Sequence, residues 1–99
     1  MQDKRHPEKR RSVNLAIRYA LGEMRDDAGL SQEGAEIVSG VKKSQIGSWE
    51  STTAKASTRE PRFSSVILLG LDYGYTLAQI LERMTKSLEM LFEAPDVEK

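Results

Sequence analysis

From Val13 the apolar residues Ile17, Ala20/Leu21, Met24 and Ala28 recur every three or four positions, the spacing of one helical face. This predicts a first helix over about residues 13–28, capped by Ser12 and closed at Gly29, since glycine adopts the left-handed C-terminal conformation without steric cost. Ser31 is suited to cap a second short helix, its side chain accepting a backbone N–H two or three residues on. Ala35, with Ile37 or Val38, supplies the buried side of that helix as far as Ser39-Gly40. After a tight turn at Gly40-Val41, Ser44 is the candidate cap of a third helix. There Ile46 and Trp49, three apart, anchor one side in the core while Lys43, Ser44, Gly47 and Ser48 look outward. Residues 51–60, STTAKASTRE, hold no large apolar side chain and read as a loop. Pro61 opens a fourth helix with Phe63, Val66, Ile67 and Leu69 on its apolar side, ending near Tyr73-Gly74. Thr76 caps a fifth that runs to about Glu93, with Pro95 as its stop. In it Leu77, Leu81, Met84, Leu88 and Leu91 form a heptad stripe. No strand alternation competes, so the expected fold class is all-α with five helices.

Ninety-nine residues suit one domain, with 38% hydrophobic and 30% charged positions. No apolar run approaches the ~20 residues that cross a bilayer, and no leader pattern precedes the first helix, so the expected location is the cytoplasm, on the nucleoid. There is no cysteine, and the one histidine, His6, precedes a proline in a polar stretch. No metal set, nucleophile or phosphate-cradling glycine loop is evident, so neither an enzyme nor a cofactor is expected. Asp26-Asp27 is not a catalytic pair on this reading, because neighbours on a helix point about 100° apart. Charge is balanced in total, 15 against 15, yet uneven along the chain. Residues 1–12 carry Lys4, Arg5, Lys9, Arg10 and Arg11 against Asp3 and Glu8 and are expected to form a flexible basic arm. That arm either enters a minor groove or is simply solvated. The chain from residue 63 onward holds twice as many carboxylates as cations.

Two short helices joined by a glycine turn, the second presenting polar side chains, match the arrangement that sets a helix into the DNA major groove. Lys42 and Lys43 lie at the start of the third helix, where the helix dipole also favours a phosphate. The run Gly29-Leu30-Ser31-Gln32, Gly40-Val41, Ile46 and Trp49-Glu50, followed by Pro61, Leu69, Gly74 and Ile80-Leu81, resembles the lambda repressor/Cro-like (XRE) helix-turn-helix family of DNA-binding regulators over about residues 14–81. The resemblance implies a lambda-repressor-like domain over 13–81, an extension of the last helix over 82–94 and a tail over 95–99. It implies that Gln32 contacts the DNA backbone and that Lys43, Ser44 and Ser48 reach base edges, with Lys42, Gln45 and Gly47 close by. Ser51, Lys55, Arg59 and Arg62 match positions that meet phosphates. Arg25 and Glu50 match a structural ion pair between the first and third helices. Two positions depart from the family pattern. Glu36 stands where a small residue is usual, which points to a shifted register in helix two or a longer turn around Ser39. The 51–60 loop is about twice the usual length, so it either tracks phosphates or is disordered.

Leu77, Ile80 and Leu81 are expected to pack on the domain, whereas Met84, Leu88, Leu91 and Phe92 form a surplus apolar stripe suited to a homodimer. A dimer would set two reading helices on the order of 34 Å apart over an inverted-repeat operator. The expected function is therefore a sequence-specific double-stranded DNA-binding transcriptional regulator, a repressor. The other class is an antitoxin-like or regulatory protein-interaction module that uses the C-terminal helix.

Overall fold

Capping chemistry and apolar spacing divide the chain into α1 (Pro7–Asp27), α2 (Gln32–Ser39), α3 (Lys43–Glu50), α4 (Phe63–Asp72) and α5 (Leu77–Phe92). The structure, a computed structural model, describes the backbone of residues 7–52 and 60–92 and the side chains of residues 13–52 and 60–91. Among the described residues there is no strand, and the fold is an all-α five-helix domain.

Helix α1 starts at Pro7, six residues before the apolar pattern begins. Proline costs nothing at a first helical position, and extending a helix already fixed by packing requires only propagation, not a new nucleus. Positions 7–12 of the expected basic arm are therefore helical, and Ser12 lies inside the helix instead of capping it. At the far end, Gly29 has φ 76°, its N–H donates to the Asp26 carbonyl (2.9 Å), and the Leu30 N–H donates to the Arg25 carbonyl (3.1 Å). This pair of bonds satisfies two carbonyls at the helix end. Helix α5 begins with a reciprocal box: the Gln79 N–H donates to Thr76 Oγ1 (3.1 Å) and the Thr76 N–H donates to Gln79 Oε1 (2.8 Å).

Every helix contributes to one core: Leu21 and Met24 from α1, Ala35 from α2, Ile46 from α3, Val66 and Leu69 from α4, and Ile80 from α5. The most extensive pairing is between α1 and α5. Arg83 of α5 fastens it, reaching Glu23 (3.4 Å) and Asp27 of α1 while its guanidinium lies over the Tyr75 ring. Helices α4 and α5 meet at Gly70, where an added Cβ would lie 2.6 Å from Ile80 Cδ1.

In α4 and α5 the apolar assignments differ from the periodicity at Phe63, Leu77, Leu81 and Met84. Phe63 is 61% exposed, because the core side of α4 is Val66, Leu69 and Gly70, with Ile67 beside them. Leu77 and Leu81, expected on the domain, are 52% and 43% exposed. Helix α5 has two adjacent apolar edges, and the gap at Gly70 admits Ile80, so it rests on Ile80, Met84 and the buried Ser87. Met84 is thereby drawn into the core and is withdrawn from the surplus stripe. Among the described residues no helix is long and apolar enough to cross a membrane.

Candidate nucleic-acid interface

Helices α2 and α3 are joined by Gly40, Val41 and Lys42. Ser31 caps α2, its hydroxyl accepting the Gly34 N–H at 2.9 Å. At the other end Gly40 takes φ 79° and donates to the Glu36 carbonyl at 2.8 Å. Ser39 secures the turn, its hydroxyl donating to the Ala35 carbonyl (2.7 Å) and accepting the Val41 N–H (3.1 Å).

The register of α2 settles the place of Glu36. Ala35 is the residue sealed against the core, and the turn keeps three residues without lengthening. Glu36, half-buried, turns toward α3 and accepts the Lys43 backbone N–H on Oε1 at 3.0 Å. It thus satisfies one of the four donors that a helix start leaves open. Ser44 does not serve as the cap: the cap position is Lys42, two residues earlier, the helix starts at Lys43, and Ser44 is exposed in its first turn. Ile37 is 81% exposed and Val38 is also exposed, so neither supplies the buried side of α2, for which Ala35 suffices.

Helix α3 is held on its inner side by Ile46, fully buried, and by Trp49, packed against the core. Glu50 receives Arg25 of α1 in a two-pronged ion pair, Nε to Oε2 at 2.8 Å and Nη2 to Oε1 at 3.0 Å. Arg25 Nη1 also donates to the Leu30 carbonyl at 2.8 Å, tying α1 to the entry of α2. Donating to the Glu50 carboxylate holds the Arg25 guanidinium even more firmly protonated than usual, against the opposing effect of burial. Gln32 joins the cluster, its Nε2 donating to Glu50 Oε1 at 3.1 Å. Its amide lies over Gly47, where a Cβ would stand 3.3 Å from Gln32 Oε1. Expected beside DNA, Gln32 and Gly47 are here a close contact between α2 and α3: one amide arm is spent on Glu50, and the glycine provides clearance.

Arg18 was not anticipated. It is 2% exposed, donates from Nε to Asn14 Oδ1 (2.9 Å), and donates from Nη1 to the carbonyls of Ser48 (2.8 Å) and Ser51 (3.2 Å). A cation at the α3 C-terminus satisfies carbonyls that the helix leaves open and complements its dipole. The available signal was spacing: Arg18 lies seven residues before Arg25, on the same face of α1.

What remains open on α3 is its first turn and outer line. Lys42, Lys43, Ser44 and Gln45 are exposed. Ser44, Ser48 and Ser51 follow at helical spacing opposite Ile46, the latter two half-buried. Arg62 is exposed ahead of α4, while Lys55 and Arg59 lie outside the described residues. In α5 Leu88 is half-buried, Leu91 is exposed, and the side chain of Phe92 lies outside the described residues. Near the Arg25–Glu50 pair, Tyr73 is buried, and its hydroxyl has no hydrogen-bond partner among the described residues. Burial, with the Glu50 charge adding to it, pushes its pKa up to about 12. Compared with known proteins, the chain matches no family model, no curated protein and no solved structure.

Proposed function

We propose that this protein is a sequence-specific double-stranded DNA-binding regulator of the lambda repressor/Cro-like kind, a transcriptional repressor that occupies an inverted-repeat operator as a homodimer in the cytoplasm. The observation that carries the reading is the support of α3. Its inner side is fixed by Ile46 and Glu50, its ends by Glu36 and Arg18, and its first turn leaves Lys42, Lys43, Ser44 and Gln45 in the open. Side chains that are long, polar and unencumbered on a rigid helix are what reading base edges in a groove about 12 Å wide requires. We assign the dimer contact to the apolar residues of α5 left outside the core, Leu77, Leu81, Met90 and Leu91, with Leu88 at the margin, of which Leu88 and Leu91 belong to the expected set.

Selection of bound duplexes from a random DNA pool tests the reading, and an enriched, two-fold symmetric sequence is the expected outcome. Replacing Lys43 by alanine should then weaken binding to the selected duplex by about 1–3 kcal/mol with the melting temperature unchanged. Failure to enrich any sequence would remove the proposal. The exposed α5 leucines also favour a second reading, an antitoxin-like or regulatory module that binds another polypeptide. A monomer that co-purifies with a stoichiometric partner, with no DNA enriched, would decide for it.

A further inference from the structure

Glu36 is unexpected on a surface proposed to meet a polyanion, and it is bound to that surface directly. Its Oε1 accepts the backbone N–H of Lys43, and Lys43 and Ser44 are the exposed start of α3. The first-turn N–H groups of a helix and the positive end of its dipole favour a phosphate. Here one of those donors is already taken by a carboxylate of the same chain. We infer that Glu36 is a specificity-determining residue, a built-in carboxylate that penalises indiscriminate phosphate contact at the start of α3. The inference rests on the DNA-binding reading above.

Two physical facts give the penalty its direction. Non-specific association is supplied almost entirely by phosphate electrostatics, so a fixed negative charge among Lys42 and Lys43 subtracts from it directly. A specific complex adds hydrogen bonds to base edges, and a carboxylate oxygen at the groove can accept from a base amino group such as cytosine N4, which offsets the repulsion. Among the described residues Lys43 engages only Oε1 of Glu36, which leaves Oε2 to accept such a bond. The carboxylate therefore lowers binding to random sequence more than binding to the preferred one. Fifteen cations matched by fifteen carboxylates leave no net attraction to mask that difference.

The test compares affinity for the duplex selected by the unaltered protein with affinity for a scrambled duplex, over a range of salt. Glu36→Gln keeps an oxygen to cap Lys43 and removes the charge. It should raise scrambled-duplex affinity by about three- to tenfold at low salt, raise selected-duplex affinity less, and so narrow the ratio. Glu36→Ala should do the same with a lower melting temperature, because the cap is lost too. Glu33→Gln, which removes an exposed carboxylate in the first turn of α2, is the control for net charge and should leave the ratio unchanged. An unchanged ratio in both Glu36 variants, or an equal effect from Glu33→Gln, overturns the inference while the DNA-binding reading survives. An unaltered protein that binds neither duplex overturns both.

Discussion

The Tyr73 hydroxyl sits in the interior without a hydrogen-bond partner among the described residues, near the half-buried Arg25–Glu50 ion pair. A buried donor left unmade costs roughly 1–3 kcal/mol, whereas a phenyl ring fills the same space without that cost. Tyr73→Phe is therefore expected to raise stability by up to about 1 kcal/mol, read by urea titration at neutral pH. The same residue sets an alkaline limit. Its pKa is raised from 10.0 to about 12, so below pH 10 both folded and unfolded chains hold the proton and Tyr73 adds no pH dependence. Between pH 10 and about 12 the unfolded chain loses that proton first, and stability should fall as pH rises. Melting curves across that window should show a steeper decline in the unaltered protein than in Tyr73→Phe. Parallel declines would refute the assignment.

Among the elements, α4 and α5 meet at Gly70 with no room for a Cβ. An alanine at position 70 would gain about 1 kcal/mol of helix propensity over glycine. It would also drive a methyl group to 2.6 Å from two side-chain atoms of Ile80, which is fully buried and, being β-branched, stiff at χ1. Overpacking of that kind costs about 1–3 kcal/mol, so Gly70→Ala should lower the melting temperature, and a rise would show that α5 swings aside freely. This joint also explains what was legible beforehand. Devices that act within a few residues, such as Ser31 on Gly34, Gly29 and Gly40 at helix ends, and Thr76 as the cap of α5, could be placed from local order alone. So could the Arg25–Glu50 pair, through the family resemblance, and the inward set of Ile46. Non-local choices could not. Glu36 reaches the start of the next helix seven residues away, and Ile80 prevails over Leu77 and Leu81 because Gly70 leaves a gap on another helix. The early start of α1 was hidden for a different reason: a helix anchored further along needs no apolar face in its first turns.

At the scale of the molecule, the apolar residues outside the core must either meet water or a partner. Leu77 and Leu81 lie one turn apart on α5, and a second copy of the same surface would cover them with two-fold symmetry. On the proposed homodimer, Leu81→Glu should leave the melting temperature of the isolated fold nearly unchanged, since the residue is exposed, and should shift the sedimenting species to the mass of one chain. Affinity for the selected duplex should fall by about a hundredfold as two tethered contacts become one. A variant that still sediments as a dimer would place the contact elsewhere. The bracing of α3 by Arg18 at one end and Glu36 at the other has a further consequence. Neither brace uses the outward side chains at Lys43, Ser44 and Gln45, so those identities can be exchanged while the scaffold stays intact. On the proposed DNA-binding function, new target preferences are then reachable by single replacements that cost the fold almost nothing, which would make this helix a starting template for engineering altered recognition.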